Sequence, residues 1–188
     1  SLKGMLLINT QDAAAAETAF TKLVDMEPRV AFPYRRLINV LEAQGKFNEA
    51  LEVATTAVEK FPDDMMLLQF KAYFHSVLKQ VEETEQALAV LERNDVKGDL
   101  MERIKGRHAA NSGDVEKAIE SYYSIYQRAP TTVNVMNLAN KLRFVGNESE
   151  AAALLERHIA SGGGSDAVNM YLAETYLVFA PEKAEPIY

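Results

Sequence analysis

Three histidines, His75, His108 and His158, are the first residues to test for chemistry, because a neutral imidazole ligates metals and moves protons near neutral pH. No two of them stand four residues apart on a helix face, and no carboxylate is placed to complete a zinc site. His75 shares its register with Leu7, Leu41 and Leu142, and His158 shares its register with Ala57 and Ile125. Both therefore read as interior packing positions. Glu82, Glu83 and Glu85 are the densest carboxylate cluster, and on a helix they read as a solvated face. Gly162-Gly163-Gly164 has neither a following lysine nor a strand-to-helix setting, so it is no phosphate loop and reads as a flexible linker. No serine has a base suggested as its partner, and the lack of cysteine excludes thiolate nucleophiles, thiolate metal sites and disulfides. The residues argue for no catalysis, no cofactor and no metal.

Composition narrows the partner classes. Of 188 residues, 48% are hydrophobic and 25% charged, which is ordinary for a globular chain. Lys and Arg number 20 against 27 Asp and Glu, a formal charge of −7, where a nucleic-acid binder would carry a basic footprint. No run approaches the roughly 18 apolar residues of a membrane span, and no N-terminal signal pattern is present. Composition leaves the compartment open between cytoplasm and, in a bacterium, periplasm.

The elements that position these side chains follow from a period. Ala16, Ala50, Thr84, Ala118 and Ala151 are spaced 34, 34, 34 and 33 residues apart. Gly4, Ile38, Ala72, Gly106, Ala139 and Ala173 keep the same beat, as do the turn positions Gly45, Lys79, Gly113 and Gly146 and the closing prolines Pro28, Pro62 and Pro130. Four columns on one period make this a repeat protein. Within one unit, Tyr34, Leu37, Ile38 and Leu41 fall at i, i+3, i+4 and i+7, a single helical face. Gly45 then supplies the left-handed turn residue, and Phe47, Ala50, Leu51, Ala54, Ala57 and Val58 resume the helical period. Phe61-Pro62 ends the second helix, and Asp64 is placed to cap the next. Asn147 with Glu150 reads as a capping box, and Ser165 as the cap of the helix that follows it. The small columns mark where paired helices cross closely, with wider crossings expected at Ile38 and Thr84.

These residues resemble the tetratricopeptide repeat. In the fullest unit its aromatic, Leu, small and Leu positions fall on Tyr34, Leu37, Ile38 and Leu41, and its Gly, Ala, aromatic, Ala and Pro positions on Gly45, Ala50, Ala54, Ala57 and Pro62. The unit around Gly106, Gly113, Ala118, Tyr122 and Pro130 matches well. The unit around Leu68 to Glu92 departs from the pattern, with Lys79 for the turn glycine and no closing proline. The resemblance implies an all-α fold, a right-handed superhelical solenoid of antiparallel helix pairs with about five repeats. It divides the chain into a partial repeat at 1–30, repeats at 31–64, 65–98, 99–131 and 132–165, and a partial repeat at 166–188.

It also implies a function class, a noncatalytic protein–protein interaction scaffold whose first helices line a concave face and bind a partner peptide or protein. Those helices carry Arg35, Arg36, Lys71, Arg103, Lys105, Arg107, Lys141 and Arg143 against Glu42, Asp99, Glu102, Asp166 and Glu174, a balance of +3 that leaves −10 for the rest of the chain. The candidate partner-binding residues are Arg35, Asn39, Phe70, Tyr73, Arg103, Arg107, Asn137 and Asn140. Arginine holds carboxylates bidentately, asparagine satisfies a peptide backbone, and the aromatic rings add contact area, so acidic groups are the expected ligands. Arg35 and Asn39 match part of the carboxylate clamp of chaperone-binding members, but Phe70, Leu100 and Ile104 stand where that clamp needs asparagine and basic groups. Two alternatives remain open: a regulatory or substrate-docking arm of a larger enzyme, and a structural spacer in a bacterial envelope or export protein. The ends read as cut from a longer array. Self-association is then expected through Met5, Leu6, Leu7 and Ile8 at one end and the helix bearing Tyr171, Leu172, Tyr176 and Leu177 at the other.

Overall fold

The computed structural model describes residues 10–184, and all regular structure among them is helical. In chain order the helices are α1 (Thr10–Met26), α2 (Ala31–Ala43), α3 (Phe47–Lys60), α4 (Met65–Val77), α5 (Val81–Arg93), α6 (Asp99–Asn111), α7 (Val115–Arg128), α8 (Thr132–Phe144), α9 (Glu148–His158) and α10 (Asp166–Phe179). A π-helical turn, Ile159–Gly163, extends α9, and a single 3-10 turn, Pro181–Lys183, follows α10. The fold is an all-α helical repeat.

The chain divides into two compact units, one up to Ile104 and one from Lys105, with the division inside α6. In the first unit each helix from α1 to α4 packs on its successor. Tyr34, Ile38, Leu67, Phe74, Leu91, Met101 and Ile104 are its largest fully enclosed side chains. Aromatic edges lock neighbouring elements, with Tyr34 against Phe61 at 5.8 Å and Phe47 against Phe74 at 6.5 Å between ring centres. In the second unit Val135, Leu138 and Leu142 of α8, Leu154 and Leu155 of α9, and Val168, Leu172 and Tyr176 of α10 form one core. The Tyr176 hydroxyl donates to Glu156 across the α9–α10 contact. Burial, and then that carboxylate, push its ionisation up to about 12.

The turn column has one backbone solution. Gly45, Lys79, Gly113 and Gly146 have φ of 74°, 60°, 83° and 76°. The amide of the following residue reaches back to the carbonyl five residues earlier, as in Lys46 to Leu41, Gln80 to His75, Asp114 to Ala109 and Asn147 to Leu142. Lys79 therefore makes the same turn without glycine. The same bond from Val96 to Leu91, over a left-handed Asp95 at φ 52°, ends α5 where other units use proline. The small columns are fully enclosed at Ala50, Ala118, Ala151, Ala72, Ala139 and Ala173, and Ile38 and Thr84 are enclosed equally well. At Gly106 a β-carbon would stand 2.9 Å from the Ser121 β-carbon, so the approach of α6 to α7 there requires glycine.

Two local expectations are corrected. Ser161 to Ser165 is not a loose linker: Gly162 takes a left-handed φ of 89° within the π-helical turn, and Gly163 lies against the His158 ring. Its missing β-carbon would sit 2.3 Å from His158 Nε2. The imidazole is enclosed between that backbone and Tyr126, with ring centres 5.9 Å apart, and neither nitrogen has a hydrogen-bond partner. Nor does Asn147 form a capping box: its amide donates to Glu150 and makes no bond to a helix N–H. Asp64 and Ser165 do cap, Asp64 accepting from Met66 and Leu67 at 3.1 and 3.2 Å, and Ser165 from Val168 at 3.4 Å. Asp114 and Thr131 cap α7 and α8 in the same way.

Candidate interaction surface

In the first unit the expected binding residues stand on α2, α4 and the start of α6. Arg35 is committed locally. Its guanidinium pairs with the Asp64 carboxylate, which at the same time caps α4, so one acid ties two first helices together. Beside the pair lies a depression of about 630 Å³ lined by Lys60, Phe61, Pro62, Asp63 and Met65. Asn39 and Phe70 are half-buried, Phe70 packing against the core. Tyr73 departs from its expected part. It is buried edge-on against Phe74, with ring centres 5.2 Å apart, and offers little area of its own. Its ring instead seats the exposed Arg103, whose guanidinium lies 5.4 Å from the ring centre. A cation held over an aromatic face keeps its charge toward solvent with fewer rotamers to lose on binding.

In the second unit Asn137 and Asn140 are exposed on α8, and Arg107 is half-buried on α6. Lys141 lies with its ammonium 5.5 Å from the Tyr122 ring centre. Burial, followed by repulsion from Arg107, holds its ionisation below the usual lysine range. Arg143 lies 4.8 Å from the Tyr171 ring centre and 4.0 Å from Glu174. Cations on the first helices are thus repeatedly set on rings. On α10, Leu172 and Tyr176 are buried, contrary to the expectation that they form an uncovered end; Met170, Leu177, Val178 and Phe179 are exposed there. Met5, Leu6, Leu7 and Ile8, named for the other end, lie outside the described residues.

The structure adds a column that attention to packing positions missed. Phe32, Met66, Leu100 and Val133 occupy the second position of successive first helices, at spacings of 34, 34 and 33. Phe32 is 58% exposed, Met66 43% and Val133 55%, with Leu100 intermediate. Arg36 lies over the Phe32 ring at 5.4 Å. The spacing is readable, but only exposure separates Phe32, Met66 and Val133 from core, and Leu100 packs partly against the core of the first unit.

No described helix is long and apolar enough to cross a membrane. The sequence model of the tetratricopeptide repeat matches residues 2–64. No curated protein matches the sequence. Among solved structures, a tetratricopeptide repeat protein from Parabacteroides merdae superposes with a TM-score of 0.74 at 14% identity, over 95% of this chain and 73% of that one. PilW, a type IV pilus biogenesis factor, superposes at 0.77 and 13% identity, over 95% of this chain and 84% of its own. YrrB, described as a tetratricopeptide repeat protein with an unusual peptide-binding site, superposes at 0.59 and 17% identity, over 92% and 90%. At these identities the structural likeness speaks for the fold alone. The tetratricopeptide repeat is thus matched in sequence over residues 2–64, and the chain as a whole has the fold of tetratricopeptide repeat proteins.

Proposed function

We propose that the chain is a noncatalytic scaffold whose first helices hold a peptide segment of a partner protein and select acidic groups. Arg35, Asn39, Phe70, Tyr73 and Arg103 would serve in the first unit and Arg107, Asn137 and Asn140 in the second. The observation that carries this reading is the seating of exposed or half-exposed cations on aromatic rings along the first helices, Arg36 on Phe32, Arg103 on Tyr73, Lys141 on Tyr122 and Arg143 on Tyr171, in a chain of net charge −7. A peptide as ligand is supported by YrrB, a structural relative described by its peptide-binding site. Tyr73 would act through Arg103, and Arg35 would act while sharing its charge with Asp64.

The test is calorimetric titration with acidic peptides. Replacing Arg103 and Arg107 together by Ala is expected to weaken binding by about 2–4 kcal/mol. Unchanged affinity would reduce the cations to solvated surface. Exposed Met170, Leu177, Val178 and Phe179 favour a second reading, self-association of the chain. Sedimentation from micromolar to millimolar concentration tests it, and a single monomeric species throughout overturns it.

A further inference from the structure

We infer that the partner segment held by the first unit is amphipathic as well as acidic, and that its apolar side chains anchor on the column Phe32, Met66 and Leu100. The inference rests on the scaffold reading above and names the chemistry of its ligand. Large apolar side chains are normally the first to be enclosed, and singly exposed ones need no explanation. Three at one register of three successive first helices are a different matter. Each stands one helical turn from residues already on the candidate face: Phe32 precedes Arg35 and Arg36, Met66 precedes Phe70, and Leu100 precedes Arg103. At Phe32 and Met66 the column is more apolar than its position in the fold requires, since the cores there are built by Tyr34 and Leu67, two and one residues further on, while Leu100 joins the column partly packed on the core.

Charge selects the occupant. At the positions i+3 and i+4 of these helices, counted from Phe32, Met66 and Leu100, stand Arg35, Arg36 and Arg103 and no carboxylate; Arg35 shares its charge with the Asp64 cap, so Arg36 and Arg103 set the sign. The Arg36 guanidinium lies on the Phe32 ring itself, so an apolar anchor seated there meets a cation at its edge. A basic peptide would be repelled by this face, and a purely acidic one would leave Phe32 and Met66 in water. A segment that intersperses Asp or Glu with Leu, Phe, Ile or Met satisfies both. The apolar contact would supply affinity, and the arginines orientation and discrimination.

The experiment is a selection of random short peptides on the full chain, followed by affinity measurement on a synthesised copy of the strongest binder. The expected outcome is enrichment of acidic residues together with large apolar ones. Phe32→Ser with Met66→Ser should then weaken the selected peptide about tenfold or more. Replacing the peptide's apolar residues by serine should weaken binding to the unaltered chain comparably, which needs no protein variant to fold. The paired substitution should add little to the serine-replaced peptide. Acidic peptides without apolar enrichment, or full affinity in the doubly substituted chain at an unchanged melting temperature, would overturn this inference and leave the scaffold reading standing. Enrichment of basic peptides, or of none, would overturn both.

Discussion

Lys79 holds a left-handed backbone that glycine holds at the three equivalent turns. A side chain in that region costs about 1–2 kcal/mol, against which glycine loses somewhat more chain entropy on folding. Lys79→Gly is therefore expected to stabilise the protein by about 1 kcal/mol. Gly113→Ala, with open space around its missing β-carbon, should destabilise it by a similar amount through φ alone. Urea midpoints measure both, and a lower midpoint for Lys79→Gly would show that the lysine side chain does more than tolerate the turn. Gly163 is the opposite case, limited by space. Gly163→Ala should cost about 1–3 kcal/mol, because its methyl meets an imidazole enclosed between this backbone and Tyr126. In a His158→Ala background the same change should become neutral or stabilising, since it would fill the space left by the ring. Equal costs in both backgrounds would separate the glycine from the histidine.

Elements are joined by residues that serve two at once, and Asp64 shows how. It accepts from the first free N–H groups of α4 and also holds Arg35 of α2. Asp64→Ala is expected to cost about 1–2 kcal/mol of stability, mostly through the lost cap. Asp64→Asn keeps an acceptor for the cap and loses the ion pair, so it should cost well under 1 kcal/mol, the partner arginine being substantially solvent-exposed. The same change releases Arg35 toward the candidate face, and acidic peptides should bind the Asp64→Asn chain more tightly than the native one. Weaker binding would mean that the pair holds Arg35 in its binding position. The Asp64 cap was legible in the sequence because proline and an acid before an apolar run leave few other roles. The turn glycines were legible for a similar reason, a backbone that few residues adopt. Asn147 misled because Glu150, the residue that suggested a capping box, itself became the acceptor for the amide. The Ser161–Ser165 stretch misled because composition cannot show that His158 folds back onto Gly163. Spacing puts Tyr73 on a first helix but does not reveal that its ring faces Phe74 and Arg103 together.

At the scale of the whole molecule the charge is sorted. The first helices carry a balance of +3 and the remainder of the chain −10, so the two sets of surfaces respond to salt with opposite sign. Between about 0.01 and about 1 M salt the Debye length shrinks from about 30 Å to about 3 Å. Repulsion among the acidic groups of the second helices and loops, such as Glu82, Glu83 and Glu85 on α5, is screened over that range, and the melting temperature is expected to rise. Attraction of an acidic peptide to the first helices is screened by the same ions, so its affinity should fall, and its association rate most steeply. Ring-stacked cations sharpen the contrast, because Arg36 and Arg103 hold their charge outward at low entropic cost while the acids around the remaining surface repel one another. Parallel melting curves and titrations across one salt series check both slopes. If affinity and stability rise together, binding is governed by apolar burial alone, and the arginines contribute position without attraction. If stability falls while affinity falls, the ion pairs Arg35–Asp64 and Lys46–Glu17 outweigh the repulsion of the acidic surface, and the sorting of charge along the chain serves folding before it serves a partner.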